Sequence, residues 1–116
     1  IPSSFQELLN ITLRFVDTDR FSVLNYAEEP RIAAVMLFSQ EKSVRGEADM
    51  ARMTSELIER VIAIGGKYYL PYRPHATIEQ FRRAYPRHGE FVAKKRLTDP
   101  GLMFRNGLWE NYLGKV

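Results

Sequence analysis

Residues 67–77, KYYLPYRPHAT, gather three tyrosines, an arginine, a histidine and two prolines into eleven positions. An imidazole exchanges a proton near neutral pH, a phenol orients a hydroxyl group, and a guanidinium holds an anion. Pro71 and Pro74 withhold backbone N–H groups, so regular strand pairing stops after Leu70. Tyr72, Arg73 and His75 then project from a stiff, irregular edge, the kind of segment that walls reaction sites. The plainer alternative is a packed Tyr72 and a solvated Arg73. Arg14 is the second candidate. It lies in NITLRFV on the strand face opposite Ile11, Leu13 and Phe15, where a charge needs solvent, an acid or a ligand beside it.

Other chemistries lack their residues. GxGxxG, P-loop, GxSxG and HExxH patterns are all missing, and Gly65-Gly66 is explained by a helix stop. With no cysteine in the chain, disulfides, thiolate metal sites and cysteine nucleophiles are excluded. His75 and His88 fall on different elements without a carboxylate at ligand spacing, so no metal site is expected. The net charge of +3 divides into −3 over residues 1–66 and +6 over residues 67–116. The positive half suits an anionic partner or is an ordinary solvated face. An RNA-reading sheet needs exposed aromatics at alternate strand positions, and NITLRFV offers only Phe15, on the face away from Arg14.

A chain of 116 residues with 45% apolar and 27% charged content has the length and composition of one folded domain, residues 1–116. The opening IPSSFQELL has neither an initiator Met nor a basic, apolar leader, which suggests a processed chain or an internal fragment. PSSFQELL reads as a short helix, NITLRFV as a half-buried strand and FSVLNY as a weak strand or an irregular connection. RIAAVMLFSQ, apolar without alternation, reads as a central strand covered on both faces. Met50, Met53, Leu57, Val61 and Ile64 recur at helical spacing up to the glycine stop, with Glu56 and Arg60 as an i,i+4 pair. KYYL reads as a short strand, Thr77 and Gln80 as a capping box, Pro86 as the opening of a further helix to Leu97, and TDPG as a turn. The large apolar residues around Trp109 predict a packed C-terminal segment. The fold class expected is α+β, a small antiparallel sheet with helices packed on one face.

The ordered features GGKYYL, T..QF..AYPR, F...KR..DP and F.N..W resemble the C-terminal segment of FAD-linked oxidases of the vanillyl-alcohol-oxidase type, near the sugar-lactone and alditol oxidases and decaprenylphosphoryl-ribose oxidase. NITLRFV and RIAAVMLFSQ are similar to strands of that family's cap domain. The resemblance implies a piece of a larger flavoenzyme that oxidises a hydroxyl of a sugar, sugar lactone or polyol. Its FAD would be held mainly by an N-terminal domain outside these residues, leaving the fragment alone inactive. It implies catalytic roles for Arg14, Tyr72 and His75 and cofactor contacts for Tyr69, Arg73 and Asn106, with no metal. The sequence departs from the family where a lysine is expected, at Tyr72 after YLP and again after Pro74-His75, and Thr12 stands for a glutamate. Partners expected are the hydroxylated substrate, the FAD-binding domain and a second copy of the fragment, with no nucleic acid. The compartment expected is cytoplasmic, with membrane association left open. The alternatives are a free-standing basic α+β module for RNA or another polyanion, and a structural dimerisation domain.

Overall fold

The alternation of Ile11, Leu13 and Phe15 with Thr12, Arg14 and Val16 is a strand period, and β1 runs Glu7–Val16. The computed structural model describes residues 1–115. β1 pairs antiparallel with β2, Arg31–Ser39, in a register that sets Ile11 on Met36, Leu13 on Ala34 and Phe15 on Ile32. A bulge at Leu9 interrupts the ladder between Leu8 and Asn10. Among the described residues four α-helices follow: α1, Val44–Ala63; α2, Ile78–Ala84; α3, His88–Thr98; α4, Gly107–Asn111; a 3-10 turn at Leu113–Lys115 comes last. The architecture is α+β, as the sequence leads one to expect, with a sheet of two strands.

The helical part holds the core. Phe81, Tyr85, Tyr112, Trp109 and Leu113 are buried together, with the Phe81 ring stacked on Tyr85 and Tyr112 at 5.8 and 5.2 Å between centroids. The Tyr112 hydroxyl donates to the Ala76 carbonyl at 2.8 Å, and the Tyr85 hydroxyl donates to the Tyr68 carbonyl. The C-terminal segment is therefore packed. α1 begins at the Ser43 cap and ends where Gly65 turns to φ 79. Gly66 closes tightly on Val61, whose Cγ1 would lie 2.7 Å from an added Cβ. The Thr77–Gln80 capping box opens α2 as expected.

Several local expectations are corrected. PSSFQELL is not helical: Glu7 already pairs with Ser39, and the Gln6 side chain is held by the Gly46 carbonyl at 3.1 Å and the Glu41 N–H at 2.9 Å. Tertiary hydrogen bonds outweigh the local helix signal there. KYYL pairs with no strand. Its Tyr68 carbonyl accepts from Tyr85, and Lys67 reaches the Asn25 carbonyl and Glu28. FSVLNY is an irregular connection. β2 is a strand, but not one covered on both faces, since Ile32 and Leu37 stay 66% and 59% exposed. On α1, Met50 and Met53 are buried with Ile58, while Ile64 faces solvent. Glu56 pairs with Arg52 at 3.1 Å, leaving Arg60 out.

The hairpin is poorly covered. Nine of the ten β1 residues are exposed, and two-stranded hairpins alone are marginally stable. The face carrying Ile11, Leu13, Phe15 and Ile32 is open, whereas Val16, Ala33 and Val35 on the other face are half-buried. Arg31, on that second face, donates to the Gly65 carbonyl at the end of α1 at 2.9 Å. The radius of gyration is 15.5 Å, against about 13 Å for a compact chain of this length. No helix among the described residues is long and apolar enough to cross a membrane.

Candidate functional site

The proline-stiffened loop between α1 and α2 carries two separate arrangements. The first is a clamp. Glu47, in the first turn of α1, accepts from Arg73 and faces His75 Nε2 at 3.0 Å, and Arg73 also reaches the Gln40 side chain. Gln40 donates to Glu47 in turn at 3.0 Å. A carboxylate only accepts, so His75 carries its hydrogen on Nε2 and its lone pair on Nδ1. The His75 side chain is 8% exposed. Burial first, and the neighbouring Arg73 guanidinium second, hold its pKa below the ordinary histidine value, so the ring is neutral at pH 7. A neutral ring still donates to Glu47, and the bond needs no imidazolium.

The second arrangement is an exposed aromatic ladder. Tyr26 meets Tyr69 edge to face at 5.2 Å between centroids, and Tyr69 meets Tyr72 in the same way at 5.2 Å. All three rings remain open to solvent, Tyr72 most of all. Tyr69 and Tyr72 were expected at the site from the sequence; Tyr26 and Glu47 were not. Tyr26 lies more than forty residues upstream in a connection without a period, and Glu47 reads as an ordinary helix-start acid. Only the folded contacts single them out.

The remaining two candidates stand apart. Arg14 lies mid-β1 opposite Ala33, exposed, with no ion pair or hydrogen bond among the described residues. Asn106 accepts from the Trp109 N–H at 3.0 Å and so caps α4, which occupies its oxygen. It also lines an open groove of about 370 Å³ with Phe91, Met103 and Trp109. A second open groove, about 450 Å³, lies beside α3 between Val23, Phe91 and Lys95. Neither groove includes Arg14, the tyrosine ladder or His75. No group of three or more histidines, cysteines or acids is arranged to hold a metal ion among the described residues.

The fit to a flavin is partial. The ladder offers exposed π-faces and hydroxyls, and Arg14 offers an unpaired cation on the sheet. Nothing among these residues resembles a pyrophosphate cradle: Gly65, at positive φ, closes α1 at its C-terminus, and phosphates are held at helix N-termini. No model of a known protein family matches this chain, and no solved structure matches it.

Proposed function

We propose that this chain is the C-terminal cap portion of an FAD-dependent oxidoreductase that oxidises a hydroxyl of a sugar, sugar lactone or polyol. The observation that carries the reading is the open apolar sheet face beside a helical body with an exposed tyrosine loop. Such a face belongs against another body, and the motifs around residues 65–109 resemble those of flavin oxidases. The FAD-binding domain would come from polypeptide outside these residues.

Flavin, when bound, supplies the acceptor for the hydride that leaves the carbinol carbon. The residues of this chain handle the rest. In this reading the hydroxyl proton goes to Nδ1 of His75, the ring nitrogen that Glu47 does not engage. Tyr72 orients that hydroxyl, and Tyr69 gives the flavin ring an aromatic neighbour. Arg73, paired with Glu47, and Arg14, on the sheet face opposite the open apolar one, are the cations this reading assigns to the reduced state. Asn106 sets the start of α4 at the boundary with the cofactor domain. Glu47 acts through His75 and is a positioning residue.

The test uses the protein at its natural length. It should purify with flavin, and anaerobic addition of a polyol or sugar lactone should bleach the flavin absorbance. His75→Ala should slow that bleaching by about 100-fold or more, the range for loss of a general base. Glu47→Gln should shift the pH profile of the same step while the flavin is retained. A colourless protein, or equal bleaching rates in parent and His75→Ala, would remove the assignment.

A further inference from the structure

We propose that two copies of this protein join through the free edge of β1, pairing antiparallel about a two-fold axis at Leu13 to form one four-stranded sheet. This goes beyond the functional reading. That reading uses the face of the sheet, and the pairing uses its edge.

Among the described residues β1 has a partner on one side only. Its other side presents a row of unpaired backbone donors and acceptors along an exposed strand of ten residues. Natural edges are defended by proline, lysine, shortness or bulges. β1 contains no proline and no lysine, its charges are Glu7 and Arg14, and its one bulge lies near its start. A strand is therefore the kind of partner this edge accepts.

The pattern of β1 selects a copy of itself. Beyond the bulge the regular ladder covers Asn10–Val16, seven residues whose middle is Leu13. An axis at Leu13 pairs every one of them. Leu13 then opposes Leu13 and Ile11 opposes Phe15 on the apolar face, an aromatic–β-branched match. On the other face Thr12 opposes Arg14 and Asn10 opposes Val16. Moving the axis to Arg14 sets two arginines directly opposite each other, and moving it to Thr12 draws the bulged Leu9 into the ladder opposite Phe15. A half-step shift puts apolar side chains opposite polar ones on the wrong face. Leu13 and Phe15 are 69% and 70% exposed in the single chain, so the central pairs bring together side chains that are now in water.

The experiment takes the natural-length protein through analytical ultracentrifugation and through cysteine cross-linking. The parent should sediment as a dimer, and Leu13→Asp as a folded monomer with an unchanged far-UV spectrum. The described chain contains no cysteine, so in Leu13→Cys the new thiols face each other within the Cα separation of about 4.4–6.8 Å that a disulfide needs. Mild oxidation should give a 13–13 linked dimer, identified by peptide mass spectrometry, at least about ten times faster than Thr12→Cys gives a 12–12 link. A monomeric parent overturns the proposal. So does a dimer in which the two variants cross-link at equal rates. Flavin retention is read separately by absorbance, so the two proposals stand or fall apart.

Discussion

Gln80 offers the most direct measurement of how the loop and helices are held. The residue is 7% exposed, and its side-chain amide makes four hydrogen bonds. The oxygen accepts from the Thr77 N–H at 3.0 Å and the Ser55 hydroxyl at 3.2 Å; the nitrogen donates to the Ser55 carbonyl at 3.0 Å and Glu59 at 3.2 Å. All four bonds are part-buried, but Thr77 and Glu59 are exposed residues that water reaches once the side chain is gone, so in Gln80→Ala their loss costs little. Ser55 is half-buried, and its two bonds contribute about 1 kcal/mol each. The buried methylenes add about 1 kcal/mol, and the better helix propensity of alanine returns a few tenths. The sum is a loss of about 2–3 kcal/mol, or roughly 10 °C in Tm for a domain of this size. Gln80→Glu keeps the shape but sets a carboxylate against Glu59 and the Ser55 carbonyl. Its folded-state pKa is raised, so the variant should be most impaired at neutral pH and recover as pH falls through the carboxylate range. Thermal melts at several pH values check both variants. A change under about 0.5 kcal/mol for Gln80→Ala, or a pH-independent deficit for Gln80→Glu, would refute the account.

The depressed pKa of His75 makes the unfolded chain bind its proton first. Stability should therefore fall as pH drops below the ordinary histidine value of 6.5, and His75→Gln should flatten that part of the curve measured by urea unfolding. Asp99 is held at about 2, first by Lys95 and then by the Phe104 and Met103 N–H groups. Its contribution is present above the ordinary value of 3.8 and lost as pH falls toward about 2, a component that Asp99→Asn should remove from acid-denaturation curves. Tyr112→Phe removes a buried bond to the Ala76 carbonyl and should cost about 1–1.5 kcal/mol in chemical denaturation. Gly65→Ala meets no atom within 4 Å but keeps φ at 79, so calorimetry should find only the backbone cost of about 1–2 kcal/mol.

Where residues act on their own chain neighbours, the sequence speaks plainly. The strand alternation of residues 11–16, the α1 stripe with its glycine stop, the Thr77–Gln80 box and the packed Trp109 segment all depend on contacts a few residues apart or on bulk apolarity. Two of the failures share one cause. The end of PSSFQELL, Glu7–Leu9, lies in β1 beside Gln6 bonds to residues 41 and 46, and KYYL lost its ladder because its polar groups are satisfied by residues 25, 28 and 85. Those partners are distant in sequence, and local propensity is blind to them.

The same division runs through the candidate site. Composition and two prolines marked residues 67–77 as a stiff, chemically mixed loop. The fold alone decided that Arg73 and His75 converge on Glu47, His75 buried and Arg73 still exposed, while Tyr69 and Tyr72 turn outward to join Tyr26. It also decided that Asn106 spends its oxygen on a helix cap and that the Arg14 side chain stands exposed on β1 without a partner among the described residues. Residue type sets what a side chain is able to do. Long-range packing sets which partner reaches it, because burial and hydrogen-bond geometry arise only once the chain has closed on itself.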